Sequence, residues 1–71
     1  MPQKDFNKYS ASSDLCDFII EEDLPGIGWY LYVYEKNSMK CIADYVQDTF
    51  EILLDFAEKK YNVKHESWKK L

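Results

Sequence analysis

The stretch WYLYVY (residues 29–34) decides the fold of this 71-residue chain, because it places a tyrosine at every second position. In a β-strand, alternate side chains point to opposite faces of the sheet. One face would therefore carry Trp29, Leu31 and Val33, and the other face would carry the three tyrosines. A chain of this length has room for one small hydrophobic core. The stretch thus predicts a face that builds the core and an aromatic face that the core does not use.

Two further strands are predicted beside this one. Residues 17–21, with β-branched residues between acids, form a first strand. Leu24-Pro25-Gly26 then favours a type II turn, in which glycine supplies the positive φ. After residue 35, a short hairpin at residues 36–38, with Asn37 in the left-handed conformation, leads into a third strand at residues 39–45.

An amphipathic helix is predicted after the third strand. Asp48 is the expected N-cap, and Glu51 completes a pattern that resembles a capping box. Asn62 is the expected C-terminal stop. The apolar residues that share one helical face are Phe50, Leu53, Leu54, Ala57 and Tyr61. The sheet residues expected beneath them are Trp29, Leu31, Val33, Cys41 and Ala43.

Together these elements predict an α+β fold: a three-stranded antiparallel meander followed by one amphipathic helix packed on one face (βββα). Residues 1–15 have no sustained periodicity and are predicted to be a flexible N-terminal arm. Residues 16–71 would form a single βββα domain with a lysine-rich C-terminal end, where Trp68 folds back over an edge of the core.

Composition excludes several classes of function. The formal net charge is −4, and all nine basic residues are lysine. Because arginine is the preferred side chain for phosphate and guanine, its absence argues against autonomous nucleic-acid binding. No apolar run approaches the length of a membrane span, and the first residues lack a signal-peptide core, so we expect a cytoplasmic protein without a membrane role. Cys16 and Cys41 are expected to be reduced there, although a bridge between them stays open.

The sequence predicts no enzyme, no cofactor and no metal site. The single histidine, His65, lies far along the chain from both cysteines. Cys41 is expected on the core face, where a thiol is inert. Asp44, Asp48 and Glu51 cluster near the start of the helix, but they lack the spacing of a calcium loop. Helix capping and solvent exposure explain them better.

The aromatic face is the best functional signal, and it indicates a protein partner. Tyrosine is enriched at interface hot spots, and exposed apolar patches of this size are usually covered. Cross-strand packing and coverage by the N-terminal arm are the alternatives. The predicted partner-binding residues are Tyr30, Tyr32, Tyr34, Ile42, Glu21, Glu35 and Asp44.

Several short motifs resemble the HicB-like antitoxin family over roughly residues 17–61. The strand at residues 41–44 followed by Asp48-Thr49-Phe50-Glu51 is similar to the family's strand and helix start, and residues 28–33 look like its preceding glycine-aromatic strand. The Leu-Pro-Gly turn at residues 24–26 is displaced, because in the family it usually follows the second strand. The resemblance implies a strand–strand–strand–helix order and a small acidic protein that neutralises a basic toxin.

The leading hypothesis is therefore a small acidic, intracellular protein-binding module, an antitoxin- or immunity-like inhibitor that uses an aromatic and acidic sheet face. One alternative is a structural homodimer that buries the tyrosines against a second copy. Another is a nucleic-acid accessory protein that uses the lysine-rich end. The identity of the partner and the oligomeric state are left open by the sequence.

Overall fold

A computed structural model describes residues 7–22 and 28–71 of the chain. Five strands form one antiparallel sheet with the spatial order β4-β3-β2-β1-β5. The elements are β1 (Lys8–Ser12), β2 (Cys16–Glu22), β3 (Trp29–Glu35), β4 (Cys41–Gln47), the helix α1 (Phe50–Tyr61), a 3₁₀ turn (His65–Ser67) and β5 (Lys69–Lys70). The predicted turn at residues 24–26 lies outside the described residues.

The α+β class is confirmed, but the three-stranded meander is wrong. The three predicted strands exist as β2, β3 and β4, and the structure adds β1 and β5 at one side of the sheet. Strand β1 lies within the segment assigned to the N-terminal arm, and β5 lies in the lysine-rich end. Both were missed because their hydrophobic signal is weak. In KYSAS only Tyr9 and the small Ala11 alternate with polar residues, and KK has no apolar residue.

The core lies between one face of the sheet and α1. Two cross-strand rows build the sheet side: Tyr45, Leu31, Ile20 and Tyr9 form one row, and Ala43, Val33, Phe18 and Ala11 form the other. Leu53 and Ala57 of α1 are fully buried against them. Burial of a side chain as large as Leu53 contributes about 2 kcal/mol, so these rows hold the helix on this face.

Aromatic rings of α1 pack against aromatic rings of the sheet at the margin of the core. The ring of Phe50 lies 4.6 Å from that of Tyr9, and the ring of Phe56 lies 4.5 Å from that of Tyr45, measured between centroids. At the other end of the helix, the Tyr61 and Tyr45 hydroxyl oxygens are 2.9 Å apart and share a hydrogen bond. Burial, and then this hydrogen bond, raise the pKa of Tyr61 to about 12.

The predicted position of Cys41 on the core face is wrong, because a β-bulge interrupts β4. Val33 pairs with Ala43 and Tyr34 pairs with Cys41, so Ile42 is an extra residue without a partner on β3. An extra residue reverses the alternation on one side of the bulge. Cys41 is therefore exposed beside Tyr34 rather than packed beneath the helix.

The residues that cap the helix and the left-handed residue of the β3–β4 hairpin agree only in part with those predicted from the sequence. The N-cap is Thr49, not Asp48, and its hydroxyl accepts a hydrogen bond from the Ile52 amide at 3.2 Å. Asn62 ends the helix in the left-handed conformation, as predicted. In the hairpin, however, the left-handed residue is Met39, with φ of 58°, rather than Asn37.

Candidate functional site

The face of the sheet opposite α1 forms the candidate site. It carries every second side chain of β2, β3 and β4, and we call it the tyrosine face. Its residues are Asp17, Ile19, Glu21, Tyr30, Tyr32, Tyr34, Asp44 and Val46. The helix cannot cover this face because the alternation of the strands that buries Leu31 and Val33 directs the tyrosines the other way. The tyrosines themselves are half-buried.

Every tyrosine of this face lies directly opposite a carboxylate on a neighbouring strand. The pairs are Tyr30 with Glu21, Tyr32 with Asp44, and Tyr34 with Asp17. Residues directly opposite each other on neighbouring strands have β-carbons about 5 Å apart. The aromatic row of β3 is therefore bordered by negative charge on both sides, from β2 and from β4.

Tyr32, the central tyrosine of the row, is affected both by the ring of Tyr30 and by the carboxylates on the neighbouring strands. The rings of Tyr30 and Tyr32 stack nearly parallel, with centroids 6.0 Å apart and planes 17° apart. Partial burial raises the pKa of Tyr32, and the negative charges of Glu21 and Asp44 act in the same direction. A negative field thus lies over the aromatic surface, and it would attract a cationic side chain placed there.

One lysine offsets part of this charge. The Lys8 ammonium lies 3.4 Å from a Glu21 carboxylate oxygen, but the two side chains are 51% and 34% exposed. An ion pair this exposed contributes little to stability and exchanges readily with other charges. Among residues 7–22 and 28–71, Asp17 and Asp44 have no ion-pair partner. Both are therefore available to a cationic group from outside.

Two depressions flank the aromatic row. A groove of about 740 Å³ lies beside Tyr34, where β1 contributes the small residues Ser10 and Ser12. A smaller notch of about 180 Å³ lies between Tyr32 and the neighbouring β4. Because the side chains of β1 on this face are short and the tyrosines of β3 are large, the tyrosine face is ridged rather than flat, and a partner could pack against the ridge.

Two of the predicted partner-binding residues are not brought to this face as expected. Glu35 follows the alternation of Leu31 and Val33, and its carboxylate accepts a hydrogen bond of 2.6 Å from the Ser38 hydroxyl. Ile42 sits in the bulge with 55% of its surface exposed. The other five predicted residues lie together on the tyrosine face.

Three members of the site, Asp17, Ile19 and Val46, are not among the predicted partner-binding residues. Asp17, Ile19 and Glu21 alternate along β2, and this period of two could have assigned Asp17 to the same side as Glu21. Val46 lay beyond the predicted end of the third strand at residue 45. The strand continues to Gln47, which places Val46 opposite Tyr30.

The lone histidine joins a separate cluster near the end of α1. His65 Nε2 lies 3.0 Å from an Asp55 oxygen and 3.5 Å from a Glu58 oxygen. One ligand atom from each residue falls within 4.8 Å of the others, so these three are the described residues that could hold a metal ion. Lys64 also approaches Glu58, at 3.9 Å. The contacts of His65 with these two carboxylates tie the 3₁₀ turn to α1.

The two cysteines are free thiols on opposite faces of the sheet. Cys16 packs against the core, on the side of Phe18, whereas Cys41 is exposed beside Tyr34. Side chains on opposite faces of a sheet point away from each other, so they cannot meet the geometry of a disulfide. The carboxylates around His65 likewise leave it paired with acids rather than with a thiol.

Comparisons of this chain with protein-family models, with curated proteins and with solved structures each found no match. Within the described residues, no helix has the length and apolar character that crossing a membrane requires.

Proposed function

We propose that this chain is a cytoplasmic, non-enzymatic binding protein that holds a basic protein partner on its tyrosine face, in the manner of an antitoxin or immunity protein. The observation that carries the proposal is the pairing of each tyrosine of β3 with a carboxylate on the next strand. Tyrosines supply rigid contact area that loses water on binding, and carboxylates add charge selectivity and faster association.

The chemistry of this face favours a protein over a nucleic acid. Aromatic residues on a sheet can stack with bases, but such platforms are bordered by basic residues that hold phosphates. Here the borders are Asp17, Glu21 and Asp44, which repel phosphate. Lysine and arginine side chains of a protein fit both features, because they pair with carboxylates and stack on aromatic rings. The resemblance to HicB-like antitoxins, which implies a basic toxin as partner, supports the same choice.

Capture of the partner from lysate of the native host tests the proposal. The immobilised wild-type chain is compared with a Tyr30→Ala/Tyr32→Ala variant and with Leu15→Ala, a matched control that shortens an exposed apolar side chain in the connection between β1 and β2. Far-UV circular dichroism verifies that all three are folded. We expect one basic protein to be retained by the wild type and the control, lost by the double variant, and released as salt rises.

The charge requirement is tested with Asp17→Asn, which keeps the shape of the side chain opposite Tyr34 and removes its charge. We expect weaker retention and a smaller dependence on salt than for the wild type. A partner that is retained equally by all variants, or one that is acidic, would contradict the proposal.

A further inference from the structure

The two edges of the sheet differ in how far they are protected against further strand pairing. Strand β5 is two residues long and consists of lysines, both of which discourage the addition of a strand. Strand β4 is seven residues long and contains neither lysine nor proline. The bulge interrupts it at Ile42, which leaves Ala43–Gln47 as a regular run. Within residues 7–22 and 28–71, β4 is an edge of the sheet, and its outer side therefore presents a row of backbone donors and acceptors.

Exposed apolar residues gather around this β4 edge. Ile42 and Val46 lie on the strand itself, each with 55% of its surface exposed. Ile52 is 43% exposed on α1. It is four residues before Phe56, which packs against Tyr45 of β4, so Ile52 shares the flank of the helix that overhangs this edge. An edge with apolar side chains on and beside it is typical of a surface that is covered in a complex.

If β4 of a second chain paired with this edge, the facing side chains would be compatible at every position except one. In antiparallel pairing about Asp44, Ile42 would approach Val46, and the small Ala43 would lie opposite the large Tyr45. The same register places the two Asp44 carboxylates directly opposite each other. Like charges in such a pair are destabilising. The edge is therefore complementary to a strand that resembles β4 but carries a positive charge at the central position.

We infer that the β4 edge is a strand-addition site for an extended segment of the partner protein, with a lysine or arginine of that segment opposite Asp44. The added strand would continue the sheet through backbone hydrogen bonds. Its central cation would lie beside Asp44, which in turn is the cross-strand neighbour of Tyr32 on β3. The inference rests on the proposed function and deepens it, because it states how the basic partner attaches.

A charge swap within this protein tests the inference without the natural partner. The probe is the full chain with Asp44→Lys, whose own β4 then supplies the basic strand. We expect wild type and Asp44→Lys to sediment as monomers when measured separately, since like charges meet at the centre. An equimolar mixture should form a species of twice the monomer mass. Amide hydrogen exchange should slow in β4 of the mixture, because pairing protects its outward N–H groups.

Glu66→Lys is the matched control, because it reverses the charge of an exposed acid in the 3₁₀ turn. Its mixture with wild type should stay monomeric. If Asp44→Lys does not fold, Asp44→Asn replaces it and should dimerise alone, since the repulsion is gone. The inference is overturned if the swapped pair stays monomeric, if it dimerises without protection of β4, or if wild type alone pairs through β4. None of these outcomes bears on whether the tyrosine face retains a basic partner, which the capture experiment tests separately.

Discussion

Removal of the Tyr61 hydroxyl should change how the stability of this protein depends on pH. The pKa of Tyr61 is raised to about 12 in the folded state, whereas a tyrosine in an unfolded chain titrates near 10. The folded state therefore holds the Tyr61 proton more tightly than the unfolded state does. Its contribution is fully present below about pH 10 and is lost as the pH rises through about 12.

The size of the effect follows from the shift. Two pKa units at about 1.4 kcal/mol each give an upper limit of about 2.8 kcal/mol, of which about half is lost near pH 11. At neutral pH, Tyr61→Phe removes only the hydrogen bond to Tyr45. That loss should cost about 1 kcal/mol.

Urea unfolding of wild type and Tyr61→Phe, followed by far-UV circular dichroism between about pH 8 and pH 11, measures the free energy of unfolding. In the difference between the two free energies of unfolding, the contributions of the titrating groups that both proteins share cancel. We expect this difference to be constant up to about pH 9.5 and then to shrink as wild type loses the tyrosine contribution. Tyr45→Phe, which removes the hydrogen-bond partner of Tyr61, should show part of the wild-type slope. A difference that stays constant through pH 11 would refute the reasoning.

Three further predictions concern stability and can be measured by the same urea unfolding at neutral pH. Thr49→Ala should lower the free energy of unfolding by about 1 kcal/mol because it removes the N-cap hydrogen bond, whereas Asp48→Ala should change it by less than about 0.5 kcal/mol; equal losses would restore Asp48 as the cap. Gly28→Ala should cost more than about 1 kcal/mol, since Gly28 has φ of 154° and a β-carbon there would lie 3.0 Å from a carbonyl oxygen of β4; a neutral result would contradict that geometry. Leu53→Ala should cost about 2.7–5 kcal/mol because it opens a cavity in the core, and the exposed Ile52→Ala should cost far less; similar losses would show that α1 is rotated from the position described.

The central strands could be predicted from the sequence because their side chains alternate between core and surface. Residues 29–35 form a strand with the predicted bounds, and Asn62 ends the helix as expected. Strand β1 could not be found in this way. Its alternating pattern rests on two residues, Tyr9 and the small Ala11, and the pairing with β2 is what reveals that the segment is extended.

The candidate site was predictable to the extent that alternation held. Tyr30, Tyr32 and Tyr34 follow the period of two, and so do the carboxylates opposite them. The bulge at Ile42 breaks this period, and nothing in the residues 41–43 marks it, since bulges depend on the pairing of two strands. That single extra residue displaced Cys41 from its predicted place in the core.

The pairing of β1 with β5 has a kinetic consequence. Tyr9 and Lys70 are direct partners although they are 61 positions apart in the chain, and only one other residue pair joins these strands. Closing so long a loop costs conformational entropy before any contact compensates for it. We therefore expect β5 to be the last strand to dock during folding and the first to detach in local opening. Trp68 directly precedes β5, and its ring lies 6.3 Å from that of Phe18, so we expect this contact to slow the detachment of β5.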